Sequence, residues 1–177
     1  MISRRNFLLS TAALAVPLSG SNVLAALIVP GERRLSLYNQ HTGESVKAVY
    51  WADGEFIHDE LVAISQVLRD HRTDEAIDID TALLDQLNLL QAKVASNGRY
   101  EIISAYRAPR SNAKLYRSTE GVAANSYHMY GRAIDVRLPG VELKYLHSAA
   151  LDMYAGGVGY YPDSRFIHLD SGDIRNW

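Results

Sequence analysis

A chain of 177 residues with 47% hydrophobic and 21% charged side chains is long enough to bury one core and too apolar to be disordered or fibrous. Its formal charge of −2 and sequence pI near 6.3 argue against the basic surface that nucleic-acid binding uses to neutralise phosphates. The chain has no cysteine, which excludes disulfides, thiolate nucleophiles, cysteine metal sites and lipid-modified cysteines, so any metal must sit on His, Asp or Glu.

The first residues, MISRRNFLLSTAALAVPLSGSNVLA, set Arg4 and Arg5 before an apolar run from Phe7 to Leu18 and close on Val23-Leu24-Ala25. A positive start, a short apolar stretch and a small-residue cleavage pattern predict an export signal over residues 1–25, and the run is shorter than a membrane span requires. SRRNFL fits a twin-arginine signal, with Leu9 where such signals often carry lysine, which makes the twin-arginine export machinery an expected partner. The apolar AALIV beyond Ala25 leaves an uncleaved anchor as the alternative. Loss of the signal removes two positive charges and no negative ones, so a single domain over 26–177 is mildly acidic, and export places it in the periplasm.

RRLSLYNQHTGESVKAVYW alternates Leu35 and Leu37, turns through Asn39 to Gly43 and alternates again through Val46, Ala48 and Tyr50, which predicts a β-hairpin. DELVAISQVLRDHR and TALLDQLNLLQAKVASNG repeat their apolar residues at helical spacing, the second before a stop at Gly98, and predict two amphipathic helices joined by the acidic loop TDEAIDID. RYEIISAY reads as a strand. Pro109 breaks it, a new segment starts at Ser111 or Asn112, and a short helix runs through Ala113 to Arg117. RAIDVRL alternates, with Ile134, Val136 and Leu138 on one face and Ala133, Asp135 and Arg137 on the other. VELKYLHSAALDMYAGG reads as a helix closed at Gly156, and VGYYPDSRFIHLDSG as two strands joined by a turn at Pro162 to Ser164. The layout predicts an α+β fold: a small antiparallel sheet flanked by helices, with the hairpin and the two amphipathic helices at its N-terminal end.

The stretch NSYHMYGRAIDV places His128 and Asp135 seven residues apart across Gly131. On one helix they would lie roughly 10 Å apart, too far to share a cation. A histidine on a loop that doubles back at Gly131 to meet an aspartate on a strand can share one. In RFIHLDS the period of two puts Phe166, His168 and Asp170 on one face, with His168 and Asp170 about 6 to 7 Å apart along the strand. That distance suits one direct ligand, His168, and one group that reaches a bound water, Asp170. Three N and O ligands with one open position are the pattern of catalytic zinc sites, so His128, Asp135 and His168 are the candidate ligands. On spacing alone, structural polar residues are the better explanation of the pattern.

The segments SAYRAPRSN, GVAANSYHMYGRAIDVRLPG, AGGVGYYPDSRFIHLDSG and RNW together resemble the YcbK-like murein endopeptidases, members of a zinc peptidase superfamily that also holds the D-alanyl-D-alanine peptidases, lysostaphin and the Hedgehog signalling domain. The resemblance covers the whole chain after the signal, and its S-x-H-x-x-G-x-A-x-D core is far more specific than a lone H…D spacing. It implies zinc on His128, Asp135 and His168, and peptide cross-links of peptidoglycan as substrate, whether between two diaminopimelate residues or from D-alanine to diaminopimelate. Zinc would bring a bound water's pKa from 15.7 to about 7 and polarise the scissile carbonyl, which suits a chain without thiols.

Asp170, on the strand face of His168, is the candidate general base. Several branches of the superfamily carry that carboxylate three residues before the last zinc histidine, where this chain has Arg165. Asp163 sits in the turn-like YPDS, where aspartate commonly bonds its own backbone, as Asp170 also could in its Asp-Ser-Gly sequence. Arg107 resembles the superfamily arginine that binds the substrate carboxylate or the oxyanion. Ser126 either orients His128 or caps its loop. His41, His58, His71 and His147 have no partner at metal spacing, and Gly156, Gly157, Gly159, Tyr160 and Tyr161 could line a groove for an extended peptide. Two rivals stand beside the endopeptidase: a carboxypeptidase that trims terminal D-alanine, and a zinc-stabilised module that binds peptidoglycan without cutting it, a reading the arginine at position 165 keeps open.

Overall fold

The computed structural model describes residues 31–119 and 121–177; the export signal expected over 1–25 and the first residues of the domain expected over 26–177 lie outside them. The chain opens with the expected hairpin, strands β1 (Glu32–Asn39) and β2 (Ser45–Ala52), paired from Glu32↔Ala52 to Tyr38↔Ser45 with one irregularity at Arg33/Arg34. Buried Asn39 shapes its turn: the Asn39 side-chain oxygen accepts from the backbone N–H of His41 and Thr42, and its amide donates to the Val67 carbonyl at 2.8 Å. A two-residue strand, β3 (Glu55–Phe56), extends β2 before helices α1 (His58–Val67) and α2 (Thr81–Lys93).

Both helices form where the apolar spacing places them, and local chemistry sets their ends. Asp59 and Glu60 complement the positive end of α1, and the Asp80 carboxylate caps α2 by accepting from Ala82 N–H at 3.0 Å. α2 stops at Lys93, not at Gly98. Ala95 takes a left-handed backbone (φ 50°), Ser96 N–H donates to Gln91 O at 3.0 Å and Ala95 N–H to Ala92 O at 3.1 Å, which satisfies the last carbonyls without a glycine.

The chain then returns as β4 (Tyr100–Ser104) beside β1 and parallel to it, because the helical crossover brings it back on the side from which β1 began. Helix α3 (Pro109–Ser118) begins at Pro109 itself, earlier than the expected start: proline at the first helical position has no N–H to leave unpaired. A 3-10 turn (Tyr127–Tyr130) leads into β5 (Ala133–Arg137), then α4 (Leu143–Leu151), β6 (Gly157–Tyr161), β7 (Phe166–Asp170) and β8 (Arg175–Asn176). α4 ends at Leu151, with Asp152 as its C-cap, short of Gly156.

The α+β class stands, but the sheet is neither small nor antiparallel. It has eight strands in the order β3-β2-β1-β4-β5-β7-β6-β8, with β1/β4 and β6/β8 parallel and the remaining pairs antiparallel. α1 lies on β1 and β2, α2 on β1 and against α4, and α4 on β6 and β7. Between helices and sheet sits one core, in which Leu37, Tyr50, Ile64, Leu87, Tyr100, Ile134 and Ile167 are fully buried. Burial of such side chains, about 1.5–3 kcal/mol each, is the main term that holds the layers together. Since Ile134 and Val136 face that core, alternation turns Ala133 and Asp135 to the other face of the sheet, where the candidate site lies.

Candidate functional site

Asp135 and His168 are direct cross-strand partners of β5 and β7, and Ala133 pairs with Asp170 two residues along, on the same face. His168 Nδ1 lies 2.8 Å from Asp135 Oδ1. His128 arrives from the 3-10 turn, with its Nε2 3.4 Å from Asp135 Oδ2 and its ring edge-on to His168 at 5.2 Å between centroids. Ser126 begins that turn, and its hydroxyl accepts from His128 N–H. Gly131 ends it at φ 65°, so closely against the loop before α2 that a Cβ would stand 2.7 Å from the Asp78 carbonyl oxygen. One donor atom from each of His128, Asp135 and His168 falls within 4.8 Å of the others.

Each histidine has one nitrogen occupied elsewhere. His128 Nδ1 stands 2.7 Å from the Ala105 carbonyl, which can only accept, so the proton is on Nδ1 and the Nε2 lone pair faces Asp135. His168 Nε2 stands 3.1 Å from Asp170 Oδ2, which leaves Nδ1 for the Asp135 side. Burial opposes the charge on Asp135, but the two histidines outweigh it and hold the carboxyl well below the usual carboxylate range. Burial likewise opposes a charged His168, yet its bonds to Asp135 and Asp170 raise it to about 9. A buried anionic carboxylate flanked by two imidazole nitrogens is a donor set that fits a divalent cation of the zinc type, which would take the place of the His168 Nδ1 proton.

Asp170 is 0% exposed, and its oxygens are committed. Oδ1 accepts from Gly172 N–H (2.8 Å), Gly157 N–H (3.2 Å) and Arg175 Nη1 (3.1 Å), while Oδ2 accepts from Arg175 Nη2 (2.6 Å) and faces His168 Nε2. Burial opposes its ionisation, but the bonds from His168, Arg175 and Gly172 hold it below the usual carboxylate range. It lies against the nitrogen of His168 that faces away from Asp135. No lone pair is left to take a proton from a water beside the cluster.

Arg107 is 8% exposed and follows β4 on the segment that also supplies the Ala105 carbonyl. Its Nη1 donates to Asn112 Oδ1 and its Nη2 to Ser104 Oγ, both at 3.2 Å, and its buried Nε has no partner among the described residues. Arg165 and Asp163 are exposed in the β6–β7 turn. His41 and His71 stack on each other at 3.8 Å, and His147 stacks on Tyr160 at 4.7 Å, so none of these joins the cluster. The peptide groove expected along Gly156, Gly157 and Gly159 is not open over the last two: a Cβ on Gly157 would meet Arg175 at 2.7 Å, and one on Gly159 would meet the Trp177 ring at 2.8 Å.

Two supports escape the sequence reading. Asp70, 1% exposed at the end of VLRD, accepts from Ala108 N–H at 2.9 Å and so fixes the segment that carries Ala105 and Arg107. Arg175 and Trp177 reach the site from β8. RNW is among the segments that carry the resemblance, but the role of Arg175 and Trp177 is signalled only by their two-residue spacing, equal to that of Gly157/Gly159 and of His168/Asp170.

Comparison with known proteins bears on what such a cluster serves. The Peptidase_M15_2 family model, described as peptidoglycan L,D-endopeptidase MepK, matches residues 28–177. The peptidoglycan L,D-endopeptidase MepK of Escherichia coli (strain K12) is 40% identical over 176 residues, 99% of this chain and 97% of the relative. The probable peptidoglycan L,D-endopeptidase MepK of Haemophilus influenzae is 37% identical over 166 residues, 93% of this chain and 89% of the relative. No solved structure gives a significant match.

Proposed function

The chain belongs to the Peptidase_M15_2 family, that of peptidoglycan L,D-endopeptidase MepK, and is a peptidoglycan endopeptidase; on that premise we propose that it hydrolyses L,D peptide cross-links in the periplasm with zinc held by His128, Asp135 and His168. The observation that carries the metal assignment is the joint arrangement of these three side chains, with one donor atom from each within 4.8 Å and the spare nitrogen of each histidine already bonded. Ligating histidines typically donate their other N–H to a carbonyl or carboxylate, and here Ala105 and Asp170 stand in those two places.

Zinc bound there would supply Lewis acidity toward the scissile carbonyl and bring the pKa of a bound water to about 7. The protein's own side chains do the rest. Asp135 and the two histidines would hold the metal on the face of β5 and β7, where the reacting carbonyl would meet it. Arg107, its guanidinium fixed through Ser104 and Asn112, offers a rigid cation to a carbonyl or carboxylate oxygen of the substrate. Asp170, whose oxygens are all engaged, holds the His168 tautomer in place of acting as the general base. The twin-arginine pattern of residues 1–25 supports export to the periplasm, and none of the described helices is long and apolar enough to cross a membrane.

The test is zinc stoichiometry and affinity. The wild type should bind one zinc per chain, and His168→Ala and Asp135→Ala should lose both zinc and cross-link cleavage. Full zinc occupancy in His168→Ala would overturn the ligand assignment.

A further inference from the structure

We infer that β8 is a working part of the metal centre, with Arg175 and Trp177 as positioning residues that set the His168 ring, Arg175 through Asp170 and Trp177 by direct contact. The inference rests on the zinc reading of His128, Asp135 and His168 and extends it to a strand that neither bears a ligand nor stands next to one in the sheet.

Three strands carry residues at the same two-residue spacing: Gly157 and Gly159 on β6, His168 and Asp170 on β7, and Arg175 and Trp177 in β8 and just after it. β6 lies between the other two. Gly157 is opposite Asp170 on one side and Arg175 on the other, and Gly159 is opposite His168. Trp177 N–H donates to Val158 O and Trp177 O accepts from Tyr160 N–H, so Trp177 brackets Gly159 from the second side. Side chains two strands apart ordinarily stand about 9 to 10 Å from each other and do not touch. Here they meet because the strand between them has no side chains at those places.

Over Gly157 the Arg175 guanidinium grips both oxygens of Asp170, at 3.1 and 2.6 Å. Over Gly159 the Trp177 and His168 rings approach to 5.2 Å between centroids. A methyl group at Gly157 would stand 2.4 Å from Asp170 Oδ2 and 2.7 Å from Arg175 Nη1, inside the pair itself. Trp177 is anchored in turn, with Nε1 donating to the Tyr161 hydroxyl at 2.7 Å while the ring stays 49% exposed.

The chain Arg175–Asp170–His168 therefore has a direction. A two-toothed guanidinium grip fixes the plane of the carboxylate, and the carboxylate fixes which nitrogen of His168 carries the proton and where Nδ1 points. Lysine keeps the charge but not the fork, and methionine keeps the length but neither.

The experiment compares the full-length protein with Arg175→Lys, Arg175→Met and Gly157→Ala, through zinc affinity by chelator competition and the imidazole nitrogen resonances of the zinc-loaded form. The wild type should show His168 as a single tautomer with the proton on Nε2. Arg175→Met and Gly157→Ala should bind zinc about tenfold or more weakly, within the range for groups that support a ligand, and should broaden or split the His168 signals. Arg175→Lys should recover part of the affinity. Arg175→Met should still fold cooperatively without metal, at a lower unfolding temperature because buried Asp170 loses two of its donors. Wild-type affinity and an unchanged His168 signature in Arg175→Met would overturn the inference, and so would loss of its metal-free fold, which would make Arg175 a structural residue. A wild type that binds no zinc would refute the ligand assignment and this inference with it.

Discussion

A histidine holds a cation only through a nitrogen without a proton, and both histidines of the site have that choice made by their neighbours. The Ala105 carbonyl accepts from His128 Nδ1–H, and the Asp170 carboxylate accepts from His168 Nε2–H. This predicts a particular outcome for Asp170→Asn. A lost general base would leave zinc in place and abolish turnover, whereas a lost orienting group should weaken zinc binding by about 10- to 100-fold, with turnover falling only as zinc leaves. Measurement of kcat at saturating zinc separates the two, because excess metal should restore much of the activity in the second case and none in the first. The positions of His128, Asp135 and His168 were legible in the sequence because strand alternation and the bend at Gly131 are local rules. The engagement of Asp170 was not, since its partners Gly157, Gly172 and Arg175 lie on three different segments and no local period relates them.

Among the elements, the 3-10 turn that presents His128 depends on Gly131, at φ 65° and pressed against the Asp78 carbonyl. Gly131→Ala should cost about 1–2 kcal/mol for the left-handed backbone alone, more for the close contact, and should weaken zinc binding as His128 shifts. Chemical unfolding and a zinc titration of the same variant would check both effects. The end of α2 gives a prediction of opposite sign. Ala95 occupies the left-handed position that closes the helix, and glycine has no penalty there, so Ala95→Gly should raise the unfolding free energy by about 1 kcal/mol. An unchanged or lower urea midpoint would contradict it. The same element shows why its end was misplaced in the sequence: Gly98 looked like the stop, but the carbonyl-satisfying bonds come from Ala95 and Ser96, neither of which announces a left-handed turn. β8 went unseen for a different reason, since two residues are too few to display a period.

At the scale of the molecule, one sheet has its helical layer on one face and its cluster of charged and candidate ligating groups on the other. Helix and hairpin positions were legible from apolar spacing, but sheet order was not, because the parallel pairing of β1 with β4 depends on how two helices cross over and not on any strand's own pattern. The hairpin turn is tied to the loop after α1 by the Glu44–Arg69 ion pair and by the stacked rings of His41 and His71. Burial, helped by repulsion from Arg72 and His41 and opposed by Asp70, lowers His71 from its ordinary 6.5 to about 4. The folded state thus binds this proton less readily than the unfolded chain, and the stabilisation is complete above pH 6.5 and lost as pH falls toward 4. His71→Phe keeps a ring in the stack and removes the proton site, so its unfolding temperature should fall less than that of the wild type between pH 7 and pH 4.5. Parallel pH curves would contradict this.

The most direct test of the whole account is digestion of purified cross-linked muropeptides by the zinc-loaded protein, with products identified by mass. The account predicts conversion of L,D-linked dimers to monomers, abolished by a chelator and restored by zinc. Intact dimers with D-alanine released from monomers, or cleavage that persists after complete removal of metal, would contradict it.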